Sequence, residues 1–348
     1  MNDSAKTSGA AKVQSIDTHT HFLPPSAVGP AERNELWNGI QFGHNALGRI
    51  TSTIGDRAQE MPWPMPPETF VERLKSMDTR RVDRHILSIS PTLYWHALSS
   101  ADGRSLSRAT NDDLAGIIAG APDRYSGLGF LPLQDPAGAV KELERCMGEL
   151  GLRGAMVCTH VNGTNWDDPS LFPILEAAEA LGAVIYFHPS GGRANSWLLN
   201  YHLRNLIGNP LETTVAMASL IFGGVYDKLP DLKTCFSHAG GYGVLGVGRF
   251  DHGHEVRPEA SGIEQLPSDY VRRVWVDTIT HNERSLRYIV DTVGADRVVL
   301  GSDYPADMGE PYPVDFVESC SSLSDAEKAA ILGANAATLL GITAEAQS

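Results

Sequence analysis

The stretch VQSIDTHTH, residues 13–21, is a mixed apolar and polar run that ends in His19 and His21. Alternate side chains of a β-strand point to the same face, so these two imidazoles project together from one end of the predicted strand. Such a pair supplies half of a divalent-metal site, although the same spacing also occurs on exposed strands that bind nothing. The rest of the chain decides between these interpretations, because a histidine or aspartate recurs where several later apolar runs end.

Seven further short apolar or β-branched runs follow this stretch, and segments with helical periodicity separate them. The predicted later strands are residues 84–90, 125–133, 154–160, 183–189, 232–238, 274–278 and 297–303. The main predicted helices are residues 67–78, 107–120, 136–150, 170–181, 209–226, 284–293, 314–320 and 324–340. Eight strands that alternate with helices favour a closed (β/α)8 TIM barrel over a doubly wound open sheet. No glycine-rich dinucleotide fingerprint follows the first strand, which further disfavours a Rossmann fold.

The predicted domain organisation has one large unit. Residues 1–12 are small and polar and predict a disordered leader, residues 13–342 predict a single barrel domain, and residues 343–348 predict a short tail. Residues 22–67 form a proline-rich insertion after strand 1 that shows little periodicity. Long irregular insertions are usually functional or disordered, so we expect a lid loop that covers substrate. The alternative is a surface excursion packed by its own aromatic residues.

Composition excludes several classes of partner. The net charge of -14 and the pI near 5.3 argue against nucleic acid and anionic membranes, while a local arginine cluster remains compatible with an anionic substrate. The four cysteines are widely spaced, which predicts reduced thiols rather than a zinc or redox pair. Neither a signal peptide nor an apolar run of about 20 residues is present. These features predict a soluble cytoplasmic protein.

The C-terminal ends of all strands in such a barrel converge on one face. The strand-end residues that would meet there are His19, His21, His160, His188, His238 and Asp303. We assign three imidazoles and one carboxylate to a single cation, with a position left for water as in catalytic sites. These predicted metal ligands are His19, His21, His188 and Asp303. Zinc is the first choice for imidazole-rich ligation, and manganese is its main competitor.

His238 is the predicted catalytic acid or base, because the adjacent Gly240 and Gly241 let backbone or substrate approach closely. The alternative is that His238 orients the metal water or caps the next helix. His160 is assigned to the substrate pocket, with a satisfied buried polar residue as the alternative. Trp197, which follows strand 5, is a further candidate for substrate binding.

These residues, in this order, resemble the amidohydrolase superfamily. The resemblance is strongest to its branch of metal-dependent nonoxidative decarboxylases, which includes 2-amino-3-carboxymuconate-6-semialdehyde decarboxylase, and it extends over residues 13–342. The motifs that carry it are DTHTHF at 17–22, FHP at 187–189, FSHAGG at 236–241 with GR at 248–249, and LGSDYP at 300–305.

The resemblance implies an amidohydrolase-type barrel in which the four assigned ligands hold one metal and His238 and Asp303 handle protons. It also implies a homodimer in which Arg249 reaches the neighbouring site and pairs with a substrate carboxylate. A second carboxylate-binding arginine belongs to the first loop, where Arg49 and Arg57 both qualify. No lysine precedes His160 that could be carbamylated to bridge two metals, so a binuclear hydrolase is not expected.

The predicted function is therefore metal-dependent, nonoxidative decarboxylation of a small unsaturated or aromatic carboxylic acid. Carboxymuconate semialdehydes and hydroxybenzoates are the substrate classes considered. The first alternative keeps the fold and the metal but hydrolyses an amide, ester or lactone, or hydrates a conjugated keto acid. The second alternative is a barrel that binds ligands without catalysis, and it predicts gaps in the ligand set.

Overall fold

The computed structural model describes residues 14–55, 57–61, 70–190 and 196–342. The predicted leader, residues 1–12, and the predicted tail, residues 343–348, lie outside the described residues. Both remain predictions.

Eight parallel strands form the centre of the structure, and four antiparallel strands belong to the insertion. In chain order the strands are β1 Ile16–Phe22, β2 Leu36–Trp37, β3 Ile40–His44, β4 Ile50–Ile54, β5 Arg57–Glu60, β6 Arg84–Ile89, β7 Tyr125–Gly127, β8 Gly154–Cys158, β9 Val184–His188, β10 Lys233–Phe236, β11 Trp275–Asp277 and β12 Val298–Val299. Strands β1, β6 and β7 pair in one parallel sheet, and β8 to β12 pair sequentially in a second.

The two parallel sheets join at both edges. On one side Gly129 bridges to Ala155, and the Gly129 amide donates to the carbonyl of Gly154 at 2.8 Å. On the other side the Thr18 amide donates to the carbonyl of Leu300 at 2.8 Å. The eight strands thus close on themselves, which confirms the predicted barrel.

Helices follow the barrel strands as predicted from the sequence. In chain order the α-helices are α1 Pro25–Glu32, α2 Phe70–Thr79, α3 Ser100–Gly120, α4 Pro136–Gly148, α5 Phe172–Leu181, α6 Asn209–Phe222, α7 Val225–Lys228, α8 Val247–Val256, α9 Pro267–Val271, α10 Glu283–Val293, α11 Pro313–Ser319, α12 Asp325–Ala329 and α13 Asn335–Leu340. Among the helices of the described residues, none has the length and apolar character needed to cross a bilayer.

Two of the predicted helices differ substantially from the structure. Helix α3 begins at Ser100, seven residues before the predicted start at 107, because Ser99 caps it by accepting a hydrogen bond from the Asp102 amide at 3.1 Å. The predicted helix 209–226 is broken at Gly223 and Gly224, where Gly224 has a φ of 65°. Left-handed backbone is easily adopted by glycine and ends the first of the two helices.

The insertion is more regular than its sequence suggested. Residues 25–55 and 57–60 contain helix α1 and the antiparallel sheet β2–β3–β4–β5, so the prediction of an irregular loop is wrong over these ranges. The side chains of Trp37 and Phe42 stack at 6.3 Å, and both are buried. The strands have five residues or fewer, too short for the alternation of buried and exposed side chains to stand out in the sequence. The lid function of the insertion stays a prediction.

The barrel core holds the strand ends rigidly. Every residue of β9 is buried, as expected of a parallel strand with both faces covered. The rings of Phe187 and Phe236 stack at 4.8 Å, and Trp166 packs edge-on against Phe187 at 5.3 Å. These large rings fix the positions of His188 and Ser237, the residues that follow them in sequence.

Candidate metal centre

Four side chains from three strand ends meet in one buried cluster. His19 and His21 belong to β1, His188 is the last residue of β9, and Asp303 lies four residues after β12. One nitrogen or oxygen atom from each lies within 4.8 Å of all the others. The four predicted ligands are therefore together, and could hold a metal ion.

Neighbouring groups fix the protonation of two of the imidazoles. His19 Nδ1 lies 2.7 Å from Oδ2 of Asp277, a carboxylate that can only accept, so Nδ1 carries the proton. His188 Nδ1 lies 2.7 Å from the carbonyl oxygen of Pro189 and must likewise donate. In both rings the Nε2 lone pair is then directed into the cluster, as metal-ligating histidines require.

His21 is oriented in the same way through a serine. The Ser88 hydroxyl donates to the carbonyl of Thr20 at 3.0 Å, so its oxygen accepts the Nδ1 proton of His21 at 3.1 Å. Nε2 of His21 therefore also presents a lone pair to the cluster. The three imidazoles thus direct Nε2 to one point, where each neutral ring could bind a metal.

The Asp303 carboxylate faces all three nitrogens. Its Oδ1 lies 3.0 Å from Nε2 of His21, 3.3 Å from Nε2 of His19 and 3.9 Å from Nε2 of His188. Nitrogen lone pairs and carboxylate oxygens at such distances repel one another unless a cation lies between them. Among the described residues, the buried Nε2 atoms of His19 and His188 have no hydrogen-bond partner. The donor set therefore fits a divalent metal ion.

The electrostatics of the cluster point the same way. Burial opposes charge on Asp303, but the neighbouring histidines, His19 foremost, outweigh it and hold the Asp303 pKa well below its usual range. Burial, together with His21 and His19, lowers the pKa of His188 far below that of a free imidazole. Burial also lowers the pKa of His19, yet Asp303 and Asp277 reverse this and raise it to about 10. The negative charges of Asp303 and Asp277 thus stabilise a positive charge between them, which a proton or a metal can supply.

His238 stands beside the cluster without joining it. Its Nε2 lies 3.6 Å from Oδ2 of Asp303, the oxygen atom not directed at His21. Its ring centroid lies 5.3 Å from those of both His19 and His188. His238 is thus positioned to exchange a proton with a molecule bound at the cluster.

The backbone that carries His238 is strained. His238 and Ala239 have φ values of 52° and 54°, in a region that residues with a Cβ rarely adopt. Their amides donate to the two carboxylate oxygens of Asp277 at 3.0 Å and 2.8 Å. The sequence predicted that backbone or substrate comes close to Gly241. In the structure protein backbone does so, since a Cβ on Gly241 would lie 2.2 Å from the carbonyl oxygen of Pro210.

Asp277, which was not among the predicted site residues, ties the cluster to His238. The buried carboxylate accepts from the His19 ring, from the amides of His238, Ala239 and Ile279, and from the Tyr186 hydroxyl. It is the last residue of β11, so the rule that located the histidines at strand ends would also have found it.

Asp17 supports the same region from the other side. It accepts from the amides of His19 and Ser302 at 3.1 Å each, and from the Ser302 hydroxyl. Burial raises the pKa of Asp17 to about 7 even though these hydrogen bonds oppose the shift. A Cβ on Gly301 would lie 2.7 Å from that of Asp277, so glycine is needed where this loop passes the cluster.

Replacing Asp277 with Asn is expected to weaken metal binding by about 10- to 100-fold, because an amide cannot offer two acceptor oxygens to His19 and the two backbone amides. The measurement is a metal titration against a competing chelator. Asp231→Asn, which removes an exposed carboxylate, is the control for the change in charge. Unchanged metal affinity in Asp277→Asn would show that Asp277 does not orient His19.

The predicted substrate-binding residues lie in different surroundings. His160 is buried outside the cluster, where its Nδ1 accepts from the Gly163 amide at 3.1 Å and its Nε2 lies 4.0 Å from Oε2 of Glu212. Trp197 is 64% exposed in a short 3-10 helix. The substrate-binding roles of both residues stay predictions.

The three candidate arginines also differ in their contacts. Arg49 forms an exposed ion pair with Glu60 at 2.6 Å. Arg57 begins β5, and its side chain lies outside what the structure describes. Arg249 is exposed on α8, and its guanidinium forms no ion pair with any described residue. The structure thus leaves Arg249 available to another molecule.

A cavity of about 500 Å³ opens over His238 and Asp303. This volume is in the range of small-molecule sites. Its wall includes polar and apolar groups from α6 and the helical turn before it, from α10, and from the loops after β11 and β12. Among them are Asn205, Asn209, Thr280, His281, Arg284 and Met308. The cavity thus gives a small polar molecule access to the cluster.

Comparison with known proteins agrees with this geometry. The chain matches the amidohydrolase family over residues 16–342. It is 36% identical to 2-amino-3-carboxymuconate-6-semialdehyde decarboxylase of Dictyostelium discoideum, with 94% of this chain and 91% of that protein covered. The structure resembles 5-carboxyvanillate decarboxylase of Sphingomonas paucimobilis, with a TM-score of 0.78, 27% identity and coverage of 95% and 100%. It also resembles the manganese-bound dihydroxybenzoic acid decarboxylase of Polaromonas sp., with a TM-score of 0.72, 25% identity and coverage of 96% and 99%. This chain therefore belongs to the amidohydrolase family.

Proposed function

We propose that this protein is a metal-dependent, nonoxidative decarboxylase of a small unsaturated or aromatic carboxylic acid. The observation that carries the proposal is the placement of His238 beside a complete three-histidine, one-aspartate donor set under a small-molecule cavity. The decarboxylases to which the chain is similar support the same reaction class.

In this proposal His19, His21, His188 and Asp303 hold one divalent ion. When bound, the ion would orient the substrate and stabilise the negative charge that develops as carbon dioxide leaves. Zinc is the proposed metal because three of the four donors are imidazoles, and manganese, which the Polaromonas relative binds, is the alternative. Elemental analysis of the purified protein distinguishes the two.

His238 would supply the proton that decarboxylation needs. The bond between the carboxylate and its carbon breaks, the electron pair stays on that carbon, and a proton must reach it. Asp303 remains ionised because its pKa is held far below the usual range, so its Oδ2 can attract a proton to Nε2 of His238. Asp277 holds the His238 backbone in place while the imidazole exchanges its proton.

The experiment that tests this function is a carbon dioxide release screen combined with metal analysis. The substrates are carboxymuconate semialdehydes and hydroxybenzoates, and the protein is assayed with zinc and with manganese. We expect about one metal ion per chain and carbon dioxide from at least one acid. Bound metal with products of hydrolysis or hydration, and no carbon dioxide from any acid, would contradict the proposal.

The proposed enzyme is a homodimer in which Arg249 reaches the site of the second subunit. The free guanidinium on α8 supports this, as do the exposed side chains of Tyr242 and Leu245, which line the cavity shortly before α8. A carboxylate of the substrate bound in one subunit would then contact Arg249 of the other subunit.

Subunit mixing tests this arrangement. Arg249→Ala and His238→Ala should each be nearly inactive alone, yet an equal mixture refolded together should recover about a quarter of wild-type activity, because half of the dimers contain one complete site. Mixing each variant with itself is the control. No recovery in the mixture, although heterodimers are detected, would show that Arg249 acts within its own subunit or not at all.

The remaining proposals concern location and partners. The four cysteines are all buried and unpaired, which is typical of a reducing compartment and supports a cytoplasmic location. A small carboxylate is the proposed partner of the site, and the acidic chain offers no basic stripe for nucleic acid or anionic membranes.

A further inference from the structure

A buried arginine of α2 contacts one of the four proposed metal ligands. The guanidinium of Arg73 donates a hydrogen bond to the backbone carbonyl of His21, and the side chain of Arg73 is buried. None of the residues of α2 belongs to the wall of the cavity over His238. Arg73 therefore reaches a metal ligand without lining the space in which a substrate would bind.

Tyr304 links this arginine to a second metal ligand. Tyr304 is buried and directly follows Asp303 in the chain. The Cζ atom of Arg73 lies 5.0 Å from the centroid of the Tyr304 ring, and that of Arg80, which follows α2, lies 4.2 Å from the same centroid. Both distances are within the range of about 6 Å over which a guanidinium is attracted to the face of an aromatic ring. Two cations thus hold one ring.

Backbone hydrogen bonds connect Tyr304 to the ligands of the metal centre. The His21 amide donates to the carbonyl of Tyr304 at 2.7 Å, and the Asp303 amide donates to the carbonyl of His19 at 2.8 Å. Asp303 has a φ of 60°, which a residue with a Cβ rarely adopts. Such a conformation persists only where the surrounding contacts hold it. A shift of Tyr304 would therefore move the Asp303 carboxylate relative to the imidazoles of β1.

Stability alone does not account for a charge at position 73. Burying a guanidinium is unfavourable unless other groups offset the loss of water, and an apolar side chain of similar volume often stabilises a fold equally well. Arg73 provides what an apolar side chain cannot, a donor to the His21 carbonyl and a positive charge over the Tyr304 ring. Both contacts are made with segments that carry metal ligands, which points to a role in arranging those ligands.

We propose that Arg73 and Arg80 are positioning residues of the metal centre. Arg73 holds His21 through its carbonyl, and the two guanidinium groups together hold the Tyr304 ring, so that His21 and Asp303 keep the arrangement that binds a metal. This inference rests on the metal centre of the proposed function. It extends that centre to two arginines that belong neither to the donor set nor to the cavity wall.

Zinc binding by the metal-free protein tests the inference in the absence of substrate. Zinc is titrated against a competing chelator into wild-type protein, Arg73→Met and Arg73→Lys. We expect Arg73→Met to bind zinc about 10- to 100-fold more weakly, the range for residues that orient metal ligands. Arg73→Lys should recover part of the affinity, because an ammonium keeps the positive charge and can donate one hydrogen bond.

Variants of Tyr304 and Arg80 test the contact with the ring. Tyr304→Leu removes the aromatic face and should weaken zinc binding, whereas Tyr304→Phe keeps that face and should retain most of the affinity. Arg80→Met should weaken zinc binding in the wild-type background. It should have no further effect in Tyr304→Leu, because both changes remove the same contact.

Two controls separate positioning from a loss of stability. Arg297→Met removes a contact of the same kind, since Cζ of Arg297 lies 4.3 Å from the centroid of the Trp275 ring, and neither residue belongs to the donor set. This variant should bind zinc as wild-type protein does. Thermal unfolding of each metal-free variant shows whether it is folded, and Arg73→Lys and Arg80→Met carry the test if Arg73→Met does not fold.

Wild-type zinc affinity in folded Arg73→Met or in Tyr304→Leu would overturn the inference, as would an equal loss of affinity in Arg297→Met. The outcome is distinct from a failure of the proposed function, because no substrate is present in the titration. Weaker zinc binding by these variants of a protein that releases no carbon dioxide from any acid would uphold the positioning role and reject the decarboxylase.

Discussion

Replacing His238 with Ala is expected to lower carbon dioxide release by about 10²- to 10⁴-fold while the metal content stays at the wild-type level. The imidazole stands next to the donor set rather than in it, with Nε2 3.6 Å from Oδ2 of Asp303. Its loss removes the proposed proton donor but none of the four donor atoms. Steady-state kinetics and elemental analysis of the same preparation provide the two measurements.

The matched control is His252→Ala on α8, where the imidazole is 72% exposed. This variant should retain both metal and turnover. Near-normal turnover of His238→Ala would exclude His238 as the proton donor. Loss of metal from His238→Ala would instead show that the ring supports the donor set.

Replacing His188 with Ala should remove the metal and with it essentially all turnover. The Nε2 atom of His188 is buried, has no hydrogen-bond partner among the described residues, and faces Asp303 at 3.9 Å. No other imidazole in the described part of the chain is positioned to replace it in the set of four. The expected metal content is close to zero under conditions in which wild-type protein holds about one ion per chain.

Thermal unfolding gives a second measurement that does not depend on activity. An ion that binds only the folded chain raises stability, by about 2.7 kcal/mol when its concentration is one hundred times Kd. Added zinc or manganese should therefore raise the Tm of metal-free wild-type protein and leave that of His188→Ala unchanged. An equal rise in both proteins would place the metal somewhere other than this cluster.

Most of the barrel could be predicted from the sequence because its strands are short, apolar and separated by helices of ordinary length. The histidines were found for the same reason: parallel strands end on one face, so His19, His21, His188 and His238 had to converge. The antiparallel sheet of the insertion was missed because the alternation in β3 and β4 spans five residues each, which is too short to recognise without the neighbouring strand.

The supporting residues could not be ranked from sequence. Asp277 lies within the predicted strand 274–278. Nothing in its local pattern predicts that it accepts hydrogen bonds from β1, β9 and the loop after β10 at once. Arg284 looks like any surface arginine in the first turn of an amphipathic helix. Only the packing of α10 against the barrel mouth places it in the wall of the cavity.

The sequence by itself determined the order of strands and helices and the identity of the donor atoms, since both depend on local periodicity and on side-chain chemistry. The tertiary structure alone decided which nitrogen of each imidazole faces the cluster, how far His238 stands from Asp303, and which arginine shares their cavity. These are distances between residues up to 284 positions apart in the chain. Such distances follow from the closure of the barrel, and no local pattern of residues encodes them.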